Sequence, residues 1–472
     1  MSTWVYDLET YKNCFTAAFE HAEYPLRVSY EISQYRNDGP DLLAFLYWLK
    51  QTSARLVGFN NVGFDYPVLH QLIKMGVGDY NALYAKAQAI ITAEDRDKFV
   101  HLVKPSEYYI PQVDLYKIHH FDNAARSTSL KVLEFNMRSE SIQDLPFPVG
   151  IDLTPDQVTV LRQYNAHDVA QTKKFYHHSK GMLAFRDELT KKYTRDFTNH
   201  NDTKIGKDYF VMELEKAGVA CYDYSPGKGR TPRQTPRPTI ALADAILPWI
   251  TFNEPEFQRI LDWFKSQTIT ETKGVFKDLV AKVGGLDFVF GTGGIHASVD
   301  REMVTADDEY TIIDLDVTSY YPNLAIKNGF YPEHLGQPFV HIYNTLFEQR
   351  KSYDKKSAES AMLKLALNGV YGDSNNKFSV FYDPLFTMRI TLNGQLLLCL
   401  LAEQLLAIDG LRVLQANTDG TTVRLKRDQE PLLNDIVNRW SKHTGLTLES
   451  ARYKMMAISD VNSYLAVYED ED

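Results

Sequence analysis

Asp314-Leu315-Asp316-Val317-Thr318-Ser319-Tyr320-Tyr321-Pro322 opens with acids alternating with aliphatic residues and closes on a proline. Proline is favoured in the first turn of a helix, where its missing N–H would have no partner in any case. The stretch therefore predicts a strand running into a helix, with Asp316 at the strand end and the N–H groups of the helical turn available to an anion. Further along, residues 413–417 and 421–425 are strand-like runs flanking Thr418-Asp419-Gly420, a hairpin pattern with an acid at its turn. Taken alone, an Asp before a Gly is ordinary turn chemistry. Between the two acids lies Lys364-Leu365-Ala366-Leu367-Asn368-Gly369-Val370-Tyr371-Gly372. Lys364, Asn368 and Tyr371 fall on one face of a helix, and Leu363, Leu367 and Val370 form an apolar stripe beside it. One stripe packs; the other is open to a ligand.

A second set of acids stands near the N-terminus. Asp7-Leu8-Glu9-Thr10 ends an apolar run, and on a strand residues two apart share a face. Asn60-Asn61-Val62-Gly63-Phe64-Asp65 follows another apolar run and precedes a helix begun by proline, which puts Asp65 at a strand-to-helix junction. Tyr164 and Asp168, four apart in the helical pattern of residues 155–179, share one face. A lone Asp-x-Glu reads equally well as two solvated charges, but the three segments together would bring four carboxylates and a tyrosine to one place. Two hard cations close together need several acidic ligands and stabilise both oxygens of an in-line phosphoryl displacement. Phosphodiester hydrolysis is the natural chemistry.

The chain has 472 residues, enough for two or three domains. Its three cysteines, Cys14, Cys221 and Cys399, are odd in number and far apart, against a disulfide framework or a Cys-rich zinc site. A reducing, cytoplasmic location is expected. No basic leader opens the sequence and no segment approaches the roughly 18 apolar residues of a membrane span, so no membrane partner is expected. The net charge of -10 runs against nucleic-acid binding unless acids gather at metal sites while basic residues line a channel. Lys228, Arg230, Arg233 and Arg237 sit in the acid-free, Pro- and Gly-rich residues 225–238, read as a loop between larger units. Strand and helix patterns alternate before it. After it helical segments over residues 241–264 precede the strands and helices already described, so the predicted class is α+β.

The N-terminal segments resemble, in order and spacing, the Exo I, Exo II and Exo III motifs of DEDDy-type 3′→5′ proofreading exonucleases, over about residues 1–185. The resemblance implies that Asp7, Glu9, Asp65 and Asp168 bind metal and that Tyr164 orients the attacking water. It also implies that Thr10, Asn60 and Phe64 hold a single-stranded 3′ end, with Lys131 a further candidate there. The later segments resemble motifs A, B and C of family B DNA polymerases across residues 314–425. Asp316 and Asp419 would then hold two Mg2+ ions, as the exonuclease acids would, with Mn2+ as a substitute. Lys364 would contact the triphosphate, Asn368 and Tyr371 would border the nascent base pair, and Tyr321 would be the steric gate against ribose. Arg350, on the stripe of Tyr343 and Leu346, would be a second phosphate ligand, and Arg452, Tyr453, Lys454 and Tyr464 would touch the primer. Implied is an RNase H-like α/β exonuclease domain at 1–185, a helical and basic-loop connector at 186–300, and a palm at 301–472 with short helical fingers at about 335–372. The implied activity is DNA synthesis from a 3′-OH primer with proofreading, in a compact phage-type nucleotidyltransferase. Its partners would be primer–template DNA, dNTPs and replisome proteins.

Departures from the pattern are specific. Motif C usually reads Asp-Thr-Asp, and here Asn417 replaces the first Asp and Gly420 the usual Ser. The Tyr-x-Gly-Gly element of the family is replaced by Phe290-Gly291-Thr292-Gly293-Gly294. These changes support an alternative reading, a 3′→5′ exonuclease whose degenerate polymerase half only grips DNA. The short interval from Asp316 to Lys364 leaves no room for the insertions of protein-primed relatives, so nucleic-acid priming is expected. Residues 462–468 look like the last palm strand and only Glu469-Asp470-Glu471-Asp472 follows, so a thumb is expected to be missing or to be a separate polypeptide.

Overall fold

The computed structural model describes residues 2–94, 97–123, 125–225 and 229–469; Lys228 and the acidic residues after 469 lie outside them. The chain divides into two compact units, Met1–Ile205 and Gly206–Asp472, each mixing helices and sheet.

The first unit contains β1 (Thr3–Tyr11), β2 (Cys14–His21), β3 (Arg27–Ser33), β4 (Arg55–Gly58) and β5 (Gln112–Asp114). They form one sheet in the order β3-β2-β1-β4-β5, the first three antiparallel and the last two parallel. Alternation along β1 sorts its side chains between two cores. Trp4, Tyr6 and Leu8 join Phe15, Phe19, Leu46, Leu69 and Leu83 on one face. Val5 goes to the other, with Val57, Val113, and Val169 and Phe175 of the helix Pro155–Tyr193. Asp7 and Glu9 continue the Val5 row, so the two-residue period alone aims them toward that helix. The helix opens on a capping box, the Thr154 hydroxyl accepting from the Gln157 N–H at 3.3 Å and the Gln157 side chain from the Thr154 N–H at 2.9 Å. It runs well past the predicted end near residue 179, because Leu183, Arg186 and Leu189 continue its buried face.

In the second unit, β6 (Tyr222–Ser225) and β7 (Gly229–Pro232) form a small hairpin, and β8 (Ile240–Ala241) pairs with β9 (Thr268–Ile269). The main sheet holds β10 (Val280–Val283), β11 (Leu286–Phe290), β12 (Ile295–Ser298), β13 (Glu302–Thr305), β14 (Tyr310–Val317), β15 (Arg412–Asn417), β16 (Gly420–Lys426), β17 (Leu448–Asp460) and β18 (Ser463–Tyr468). Its order is β10-β11-β12-β15-β16-β14-β17-β13, with β18 also on β17. β14 is central, antiparallel to β16 on one side and β17 on the other, with Ile312, Ile313, Leu315 and Val317 buried.

The helical segments expected over residues 241–264 are a 3-10 turn at Leu242–Ala245 and the helix Pro255–Ser266, separated by irregular chain. Leu247 and Glu254 each precede a proline, which disfavours helical backbone, and Glu254 is extended at ψ 115°. The helix Pro384–Leu405 is long and apolar enough to cross a membrane by length and composition, contrary to the expectation of no such segment. Here most of it is buried in the unit, and the indole of Trp440 donates to its Leu397 carbonyl at 3.0 Å.

Candidate active sites

In the first unit, ligand oxygens of Asp7, Glu9 and Asp168 all lie within 4.8 Å of one another. Asn165, buried on the helix that carries Asp168, donates to Asp7 Oδ2 at 2.7 Å and accepts from the Thr16 hydroxyl at 3.3 Å, fixing the Asp7 carboxylate. Asp65 starts the helix Asp65–Met75 and accepts from the Leu8 N–H at 3.2 Å, so it stands behind the three converging acids. The loop before it turns at Asn60, whose φ is 62°. Buried Asp114 pins that loop, accepting from the N–H groups of Asn60 at 2.9 Å and Val62 at 3.1 Å. Tyr164 is buried with its hydroxyl beside Asp168. Thr10 is half-buried at the end of β1, Asn60 is exposed, and Phe64 packs against the first core. Lys131 pairs with Asp144 while its charge still reaches Asp168. On its other side Asp168 meets His167 and buried Glu134, themselves 3.2 Å apart. Asn165, Asp114 and the Glu134–His167 pair are absent from the sequence reading, and no motif marks them.

Burial first, and then mutual repulsion, pushes Asp7 and Glu9 well above the ordinary carboxylate range. Burial likewise raises Asp65 to about 7 and Asp168 to about 6. Crowded, desolvated carboxylates of this kind fit hard divalent cations, which supply the missing positive charge. Because these folded-state values lie above the unfolded ones, the metal-free native state holds protons that the unfolded chain has released. Stability must therefore fall as pH rises from about 4 to about 7. In chelator, the unfolding midpoint at about pH 8 is expected to lie below that at about pH 5.5 by on the order of 5 °C, and Mg2+ at the higher pH should restore it. A midpoint in thermal melts that moves with neither pH nor metal would contradict the acid cluster.

In the second unit, Asp316 ends β14 and Asp419 sits in the two-residue turn between β15 and β16. Pairing of β14 with β16 sets Asp316 opposite Gly420, and the Val317 N–H donates to the Asp419 carbonyl at 2.8 Å. A Cβ at position 420 would lie 2.0 Å from Asp316 Oδ1 and 2.9 Å from the Leu315 carbonyl, so glycine here makes room for the acid. Thr418 takes a left-handed φ of 45°, backed by Gly294, where a Cβ would approach the Thr418 Cα to 2.9 Å. Burial, then Asp314 and Asp419, raises Asp316 to about 6, and burial also raises Asp419. Asp314, on the same face of β14, is held by the hydroxyls of Thr422 at 2.6 Å and Tyr453 at 2.9 Å.

Asp316, Asp419 and Glu449 line a cavity of about 450 Å3 together with Arg350, Lys351 and Lys355. The Nε of Arg350 is buried with no hydrogen-bond partner among the described residues. Lys364 and Asn368 are exposed on the helix Ala358–Asp373, and neither lines this cavity; Ser360, one turn earlier, does. The rings of Tyr321 and Tyr371 pack together, centroids 4.3 Å apart and planes tilted by 34°. Their hydroxyls donate to consecutive carbonyls of the glycine-rich turn, Tyr321 to Gly293 at 2.7 Å and Tyr371 to Thr292 at 3.3 Å. Of the predicted primer segment, Arg452 pairs with Glu430 at 2.6 Å, Tyr453 binds Asp314, and Tyr464 is exposed on β18.

The sequence matches no family model, and no curated protein matches it. Among solved structures, the family B DNA polymerase from the hyperthermophilic archaeon Pyrobaculum calidifontis aligns with 100% of this chain at 15% identity and a TM-score of 0.49. The chain covers 59% of that polymerase's length. The likeness is a distant structural similarity.

Proposed function

We propose that the chain is a DNA-templated DNA polymerase of the family B type, extending a 3′-OH primer in its second unit and proofreading 3′→5′ in its first. The observation that carries this reading is the second-unit cavity, which Asp316, Asp419 and Glu449 line together with Arg350, Lys351 and Lys355, and where Arg350 keeps a buried N–H without a partner among the described residues. A chelated triphosphate needs both kinds of wall at once. Asp316 and Asp419 in one unit, and Asp7, Glu9 and Asp168 backed by Asp65 in the other, would hold Mg2+ or Mn2+, which when bound supplies Lewis-acid activation and charge neutralisation at a phosphorus centre.

The chain's own groups do the rest. Arg350 and Lys351 orient phosphate oxygens from the cavity wall, Lys364 is a further phosphate ligand from outside that wall, on the exposed face of its helix, and Tyr321, Asn368 and Tyr371 bound the sugar and base. Tyr164 positions a water beside Asp168, while Thr10, Asn60, Phe64 and Lys131 hold the frayed end. Primer–template DNA, dNTPs and the replisome of a phage in its host's cytoplasm belong to the same proposal. A 5′-labelled primer on a longer template, incubated in Mg2+, should lengthen to the template end with dNTPs and shorten stepwise without them. Shortening in both conditions would favour the exonuclease-only alternative, and no change in either would reject the reading.

A further inference from the structure

We propose that the second unit carries a separate groove for an unpaired nucleic-acid strand, lying beyond the C-terminal end of the helix Ala358–Asp373. That the strand is the template ahead of the primer rests on the polymerase reading. The groove has a volume of about 360 Å3 and is lined by Arg237, Glu271, Lys273, Asn375, Lys377 and Tyr382, with smaller residues between. Arg237 is committed to Asp383 at 2.8 Å and Glu333 at 2.6 Å. Lys273 and Lys377 are exposed and make no ion pair among the described residues, and Glu271 is the only acid among the described lining residues. In a chain of net charge -10 this is a local cationic surplus.

Beside Lys377 stands Phe378, 86% exposed, the highest value among the described large hydrophobic residues. Its loop is clamped. Gln234 donates to the carbonyls of Lys377 at 2.8 Å and Ser379 at 2.7 Å, the Phe378 N–H donates to Asn376 at 3.0 Å, and the Thr272 hydroxyl holds Asn375 at 2.8 Å. Folding gains nothing from a fixed aromatic ring in water. Bases of a single strand stack on such rings whatever their sequence, and neighbouring cations follow the phosphates. A duplex offers no free base face to Phe378, which argues for an unpaired strand. A second aromatic surface adjoins the loop through Gln234: the β6-β7 hairpin carries exposed Tyr224, and Arg230 covers the Tyr222 ring at 4.2 Å. The loop also follows directly from Tyr371, whose carbonyl accepts from the Ser374 N–H at 3.0 Å. A strand in this groove would thus lie next to the residue proposed to border the base pair.

The test uses the full chain in Ca2+ with no Mg2+, and two fluorescent hairpin DNAs, one blunt and one with a 5′ overhang of about six nucleotides. The overhang is expected to tighten binding roughly tenfold in the unaltered protein. Phe378→Ser should bring that ratio to within about twofold of unity, and the pair Lys273→Glu with Lys377→Glu should do the same with a shallower salt dependence. The ratio is taken within each variant, so a general loss of affinity does not count. An overhang advantage kept by both variants, or absent from the unaltered protein, overturns the groove. Failure of the polymerase reading shows separately, as an unaltered protein that cannot extend a primer in Mg2+ and dNTPs, whatever the binding ratio.

Discussion

Asp419→Asn is expected to stop primer extension, with the rate down by at least about 10^3-fold, while single-stranded 3′ ends are still degraded. The substitution keeps side-chain volume and leaves the turn between β15 and β16 able to form, so folding should survive. What is lost is one of the three acidic charges that line the cavity with Arg350. The converse pair, Asp7→Ala with Glu9→Ala, should abolish degradation and spare extension, because those acids converge with Asp168 inside the first unit. Each set of acids is assembled from residues of a single unit. Loss of both activities from Asp419→Asn in a protein with an unchanged melting curve would sink the two-site assignment.

Tyr321→Ala is expected to admit ribonucleotides. An ordinary pocket rejects an added hydroxyl by only about 10^2-fold, and the discrimination lost should be of that order, read as kcat/KM for a dNTP against its rNTP. The ring is held as a wall by two contacts: it packs against Tyr371 at 4.3 Å and its hydroxyl donates to the Gly293 carbonyl. Tyr320 is a different case, buried with its hydroxyl on the Gly394 carbonyl at 2.5 Å, so its truncation should cost stability rather than selectivity. If Tyr321→Ala incorporates dNTPs normally and still rejects rNTPs, the gate lies elsewhere.

Local periodicity made the strand–turn–helix at Asp316, the hairpin at Asp419 and the pairing of Asp7 with Glu9 legible, because each is written within a few consecutive residues. What stayed hidden depends on partners far along the chain. Asp114 looks like an unremarked acid at the end of a short strand until it is seen holding the loop of Asn60. Gly420 reads as a departure from a motif, and only the pairing of β14 with β16 shows that a side chain there would collide with Asp316. Helical spacing separates the packed stripe of Leu363, Leu367 and Val370 from the exposed Lys364 and Asn368, as the structure has it, but it cannot say which residues line the cavity, where Arg350 of the helix Gln337–Lys351 and Ser360 stand. Hydropathy cannot separate a membrane span from a core helix, as Pro384–Leu405 illustrates.

The two tyrosines that hang from the neighbouring carbonyls of Thr292 and Gly293 have an evolutionary consequence. In the polymerase reading, one ring judges the sugar and the other the base, yet both hydroxyls reach the same turn, that of Tyr371 being held also by the Thr391 hydroxyl at 2.7 Å. Variation in that turn touches both judgements. A lineage drifting toward ribose tolerance through residues 291–294 would also drift in its mutation rate, so the two traits should be inherited together.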